Sequence, residues 1–200
     1  MSIVREASRA IRMTLVLWVL TAVIYPGLML LIGQVVFPYQ ANGSLVPNIE
    51  GEVVGSALIG QVFTSDLYFH PRPSTVEYSQ GKNAIPTGLS GASNLAPSNP
   101  ELVKRIEAEI ERLEENDIQP TGDLVYTSGS GLDPHISVEA AIAQLDRVAT
   151  ARNLSTEDIA PLIAKHVQGR FLGIFGEPGV NVLNLNRALD LFALSRQQAQ

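Results

Sequence analysis

The chain contains no cysteine. Disulfides and thiol chemistry are thereby excluded, while the compartment stays open, because many exported proteins also have none. Phosphate cradles are missing too. The Gly81-Lys82 pair has Val76 where a Walker loop places its first glycine, and Asn83 where Ser or Thr would bind magnesium. Neither G-x-G-x-x-G nor the nucleophile elbow G-x-S-x-G occurs. An excess of positive charge is also lacking, since 14 Lys and Arg stand against 20 Asp and Glu. Nucleic acid is therefore not an expected partner.

One absence is local. From Met13 to Phe37 there is no charged residue in 25 positions. A helix of that length, at about 1.5 Å per residue, covers a hydrocarbon core of about 30 Å. A cleaved secretory signal has an apolar region of only about 7–15 residues, so a membrane span over residues 13–37 is the expectation. Pro26 and Gly27 interrupt it, which predicts a local kink that a neighbouring helix re-satisfies. Gly27 and Gly33 allow close helix approach without forming a strict G-x-x-x-G pair, so Pro26, Gly27 and Gly33 are the candidate packing positions in the membrane.

Arg5, Arg9 and Arg12 precede the span against Glu6, whereas the first charges after it are Glu50 and Glu52. The positive-inside rule then predicts a cytoplasmic tail of residues 1–12 and an extracytoplasmic domain of residues 38–200. With three arginines and one glutamate before residue 38, that domain keeps 11 basic and 19 acidic residues, a net of −8. Such a balance is ordinary solubility, although it also suits cation attraction near a membrane.

Within the domain, residues 38–48 read as a linker. "GEVVGSALIGQVF" reads as a strand pair or bulged strand, and "DLYFHP" as a second strand ending at Pro71. Residues 72–99 are rich in Pro, Ser, Gly and Asn, too long for a passive connector. A helix follows, with Ser98 and Glu101 in capping-box spacing and Leu102, Val103, Ile106, Ile110 and Leu113 on one face. "LVYTSG" reads as a short strand. Ser137 is placed to cap a helix through Val148 and Ala149, and Ser155-x-x-Asp158 to cap another, disturbed by Pro161 and ended by Gly169. "GVNVLNLN" alternates like a strand before a closing helix. One N-terminal transmembrane helix followed by a mixed α/β (α+β) extracytoplasmic domain is the fold class this order predicts.

Chemistry was sought in "SGSGLDPHIS", Ser128–Ser137. Ser130, Asp133 and His135 contain the ingredients of a triad, but three neighbours in one loop rarely converge with the histidine between the other two. The structural alternative is a strand-to-helix loop shaped by its glycines, turned by Asp133-Pro134 and capped by Ser137. A membrane-anchored periplasmic hydrolase using Ser130 and His135 is the competing function. Metal ligation by His70, His135, His166 and Asp133 lacks helical spacing, so no metal and no catalytic residue are assigned. His166 suits a helix C-terminus.

Four motifs carry a resemblance: "YFHPRPS" (Tyr68–Ser74), "SGASNLAPSNPEL" (Ser90–Leu102), "SGSGLDPHIS" and "GEPGVNVLNLN" (Gly176–Asn186), behind one span. In that order they strongly resemble KdpC, the C-subunit family of the bacterial Kdp potassium-transporting P-type ATPase, over nearly the whole chain. The resemblance implies a non-catalytic accessory subunit in the bacterial inner membrane. Its implied partners are a channel-like potassium-binding subunit, the P-type ATPase subunit and a small single-span subunit, besides the lipid bilayer. In keeping with that role, no D-K-T-G phosphorylation motif is present. It further implies a catalytic chaperone that raises the ATP affinity of the hydrolysing subunit. No cofactor is expected to bind tightly to this chain; ATP and potassium are handled by the complex, and no ATP-binding residue is assigned. Tyr68, Phe69, His70, Arg72, Asn94, Asp133, His135 and Asn181 are the candidate partner-docking residues.

Overall fold

The computed structural model describes residues 3–80 and 88–198. The Gly81-Lys82 pair and part of the 72–99 segment lie outside them. Two compact units divide the chain at residue 45.

The first unit is one long helix in three parts, α1 (Ile3–Val19), a π-helical turn (Leu20–Ile24) and α2 (Tyr25–Val36), followed by the short α3 (Pro38–Ala41). Continuous over 34 residues with no side chain buried inside the chain, it is long and apolar enough to cross a membrane. At about 1.5 Å per residue it exceeds the hydrocarbon core, so its arginine-bearing first turns extend beyond the apolar stretch. The interruption sits where Pro26 requires it. Pro26 has no N–H for the Ala22 carbonyl, and the turn before it widens until the Tyr25 N–H reaches Leu20, five residues back.

The second unit, from Val46 onward, holds two small sheets among helices. β1 (Leu45–Pro47) pairs with β2 (Val53–Ser56), so the segment expected to be a linker contains both α3 and a strand. A three-stranded antiparallel sheet has the order β3 (His135–Ser137), β5 (Gly179–Asn181), β4 (Val167–Gln168), with Ile136 and Val167 both opposite Val180. Against it pack α6 (Val138–Ala143), α7 (Leu145–Arg152), α8 (Thr156–His166) and α9 (Val182–Gln198). Ile136, Val148, Ile159, Val180, Leu185 and Leu189 fill the core, with α4 (Pro100–Glu114) contributing Leu113.

Capping explains most boundaries. Asn99, not Ser98, caps α4, its side chain accepting from the Glu101 N–H at 3.0 Å with Pro100 in the first turn. Val103, placed by its spacing on the apolar face, is 48% exposed. Ser137 caps α6 through the Ala140 N–H, and the Ser155–Asp158 capping box of α8 is complete. The helix expected from Ser137 through Ala149 is two helices broken at Gln144. Pro161 lies inside α8 without ending it. α8 stops at His166, whose Nδ1 lies 2.8 Å from the Leu162 carbonyl, and the chain enters β4 directly. Gly169 is therefore no helix cap.

Three strand expectations fail. "LVYTSG" begins in the short helix α5 (Gly122–Val125). "GVNVLNLN" is a strand only to Asn181 and a helix after it. "DLYFHP" opens in a turn and has no strand partner among the described residues; side chains hold it instead.

Candidate functional site

Residues 66–70 pass from a turn, closed by the Tyr68 N–H on the Ser65 carbonyl, into an irregular stretch, and their backbone groups are met by four side chains. Asn186, 2% exposed, accepts from the Phe69 N–H at 2.9 Å and donates to its carbonyl at 3.0 Å. Gln144, fully buried, treats His70 the same way at 2.7 and 3.1 Å. Arg147 donates to the Asp66 and Tyr68 carbonyls, and Arg152 to that of Leu67. Two primary amides thus stand in for a neighbouring strand, satisfying a donor and an acceptor each. None of these four side chains was singled out from the sequence. A signal existed for Asn186: Val182, Leu185, Asn186 and Leu189 lie on one helical stripe, which puts a polar residue in the core. Reading the segment as a strand hid it.

Beyond this brace the motif loops interlock. Pro73 accepts from the Ser128 N–H, Ser74 Oγ donates to the Gly131 carbonyl, and the Ser130 carbonyl accepts from both the Gly91 N–H and Ser90 Oγ. Gly131 holds φ 69, and a Cβ there would collide with the Val76 side chain and the Gly91 carbonyl. Only glycine allows that approach. The fourth motif joins through β5, and the Val182 N–H donates to Pro134.

Where the loops meet, Arg72 lies between Asp133 at 3.4 Å and Asp123 at 3.7 Å. Asp133 accepts from the His135 N–H at 3.0 Å, and His135 Nδ1 stands 3.5 Å from the same oxygen. The other ring nitrogen, Nε2, reaches Gln168 Oε1 at 3.0 Å across the sheet. It passes over Gly179, where a Cβ would lie 3.6 Å from the His135 Cβ. The contact with Asp133 raises the His135 pKa against its burial, with Gln168 adding to the effect. The same bond with His135 lowers the Asp133 carboxyl, helped by Arg72. These groups line a cleft of about 540 Å³ whose far wall is the β4–β5 hairpin, with Phe171, Phe175 and Glu177.

The candidate docking residues divide. Arg72, Asp133 and His135 come together. His70 lines a second cleft of about 360 Å³, into which Arg72 also reaches, and burial followed by Arg147 lowers its pKa to about 4. Tyr68 donates to Asp190 at 3.2 Å under the Arg152 guanidinium, 4.8 Å above its ring. Asn94 is exposed in a left-handed conformation at φ 52. Phe69 and Asn181 are at 0% and 1% exposure, so neither side chain is presented to a partner. Asn181 instead accepts from the Asn184 N–H, capping α9, and donates to Ala57.

Ser130 and His135 are not joined. The Ser130 hydroxyl meets Ser128 Oγ and the Leu132 N–H, while the imidazole is turned to Asp133 and Gln168. The cleft offers a nucleoside triphosphate no uncompensated cation, because Arg72 is matched by two carboxylates and, beside the far wall, Arg170 is matched by Glu177. Among the described residues no three His, Asp or Glu gather as metal ligands.

Fold and site together define a class: a chain with one apolar helix able to span a membrane, and a domain whose motif loops bind one another. Comparison narrows it. Residues 7–191 match the KdpC family, K+-transporting ATPase, c chain. The chain is 64% identical over 187 residues to the potassium-transporting ATPase KdpC subunit of Synechocystis sp., covering 94% of this chain and 98% of that one. It is 61% identical over 198 residues to the subunit of that name from Anabaena sp. (99% and 99%), and 50% over 191 residues to that of Gloeobacter violaceus (95% and 98%). The chain belongs to the KdpC family.

Proposed function

We propose that this chain is the non-catalytic accessory subunit of an ATP-driven potassium uptake complex, needed for assembly and acting as a catalytic chaperone for its ATP-hydrolysing subunit. The observation that carries this reading is the interlocking of all four motifs into one loop surface, joined by hydrogen bonds between the loops. A surface built that way offers shape and charge to a neighbour. The arginines before the span support a cytoplasmic N-terminus and an extracytoplasmic domain in the bacterial inner membrane. The partners would be the channel-like potassium-binding subunit, the P-type ATPase subunit and the small single-span subunit. Arg72, Asp133 and His135 would dock from the domain, and the Pro26, Gly27 and Gly33 region would pack in the bilayer. ATP and potassium would be handled by those partners. An effect on ATP affinity then travels as a coupling free energy between subunits, typically about 1–3 kcal/mol, without this chain touching ATP.

The test is purification through a tag on this chain, followed by potassium-stimulated ATP hydrolysis, with Ser130→Ala beside the parent. The partners should co-purify and activity should follow their retention. Ser130→Ala should cost no more than about 1 kcal/mol of domain stability. A chain that purifies alone without ATPase activity removes the assembly role, and ester hydrolysis by the purified chain that Ser130→Ala abolishes would restore the hydrolase.

A further inference from the structure

Between β4 and β5 the chain forms a hairpin, "GRFLGIFGEP", Gly169–Pro178. Phe171, Leu172, Ile174 and Phe175 are 72, 73, 72 and 61% exposed, four large apolar side chains in five residues. Phe171 and Phe175 edge the cleft, but the hairpin is otherwise open to its surroundings, since a Cβ built on Gly169, Gly173 or Gly176 would meet nothing within 4 Å. Contiguous exposed apolar surface of this kind marks contact with a protein or a membrane.

Two features favour lipid. Most donors of the tip are satisfied within it: the amides of Phe171, Gly173, Ile174 and Phe175 donate to Phe175, Arg170, Phe171 and Phe171. Four of the five N–H groups from 171 to 175 thus keep a partner at a lipid interface, where the carbonyls of residues 172–174, which accept none of these bonds, can still meet headgroup water. Charge is also balanced locally. Arg170 and Glu177 are the two charges of the segment and they pair at 2.9 and 3.0 Å, so the acidic character of the domain is not expressed at the tip and an anionic headgroup layer does not repel it.

We propose that the 170–177 hairpin inserts its Phe171–Phe175 tip into the lipid interface, a second membrane contact besides the span. The proposal rests on the reading of α1–α2 as a membrane anchor. His135 would be a positioning residue for this contact, because its bond to Gln168 holds the strand from which the hairpin leaves.

The absence of native cysteine permits single nitroxide labels. The full chain would be placed in vesicles of phosphatidylethanolamine and phosphatidylglycerol with labels at Leu172→Cys, at Leu28→Cys in the span, and at exposed Glu115→Cys beyond α4. Collision with oxygen and with an aqueous nickel chelate would then be compared. The expected result is loss of nickel access with gain of oxygen access at 172, in the same sense as at 28, while 115 stays nickel-accessible. Position 172 behaving like 115 with 28 shielded overturns the lipid contact and leaves the anchor standing. Shielding of 172 that appears only once the other subunits are added overturns it in favour of a protein groove. Nickel access at position 28 would remove the anchor and the proposal together.

Discussion

Asn186 and Gln144 show how much a single buried amide can decide. Each supplies one donor and one acceptor to a residue of the braced segment, and each is closed to water. A hydrogen bond adds only about 1 kcal/mol net, but a buried group left without a partner costs about 1–3 kcal/mol. Asn186→Leu keeps the volume and strands both the N–H and the C=O of Phe69. We expect the domain to lose about 3 kcal/mol, read as a fall in the denaturation midpoint, and Asn186→Asp at neutral pH to lose at least as much, since it replaces the donor by an ionised carboxylate buried against the Phe69 carbonyl. An Asn186→Leu domain as stable as the parent would mean that water replaces the amide. At this scale the sequence was readable for caps such as Ser137 and Ser155, where the bond spans three residues. It was unreadable for the brace, whose partners stand 117 and 74 positions apart.

Among the elements, the three-stranded sheet carries the most consequence for its size. β3 and β4 flank β5, and His135 crosses the middle strand at Gly179 to reach Gln168. The crossing is possible because residue 179 has no side chain. A methyl group would sit in ordinary contact with the His135 Cβ, so Gly179→Ala should be mild. A branched residue would displace the ring, and Gly179→Val should cost about 1–3 kcal/mol as an overpacked site. It should also detach Gln168, so amide exchange in the 169–178 hairpin should quicken well beyond the loss in global stability. Exchange that merely tracks global stability would show the hairpin to be held by other contacts. The long helix teaches the complementary lesson. Its apolar length and its fault at Pro26 follow from local composition, and both were anticipated, although the fault is a π turn placed before the proline.

For the molecule as a whole, the two loop histidines set opposite pH limbs. His70 titrates at about 4 in the folded chain and near 6.5 when unfolded. Between those values the unfolded state holds more protons, so stability falls as the pH drops from about 6.5 toward about 4. The loss should be about 2 kcal/mol once solvent screening at this half-buried site is allowed for. His135 is shifted upward, so its contribution is complete below about 6.5 and fades as the pH rises through its folded value. Thermal melts across this range should show a stability maximum between the limbs. His70→Gln should flatten the acid limb and His135→Gln the alkaline one. An acid limb unchanged by His70→Gln would assign it to the carboxylates.

The sequence by itself determined the family, the membrane-length helix, the Ser137 and Ser155 caps and the order of the motifs, because each is written in neighbouring residues or in one continuous run. Only the tertiary structure decided that "DLYFHP" is braced by side chains, that Phe69 and Asn181 face inward, and that Arg72, Asp133 and His135 share one cleft. Those outcomes depend on contacts between distant segments. Local propensity gives way there to the requirement that every buried amide and carbonyl find a partner, wherever in the chain that partner lies.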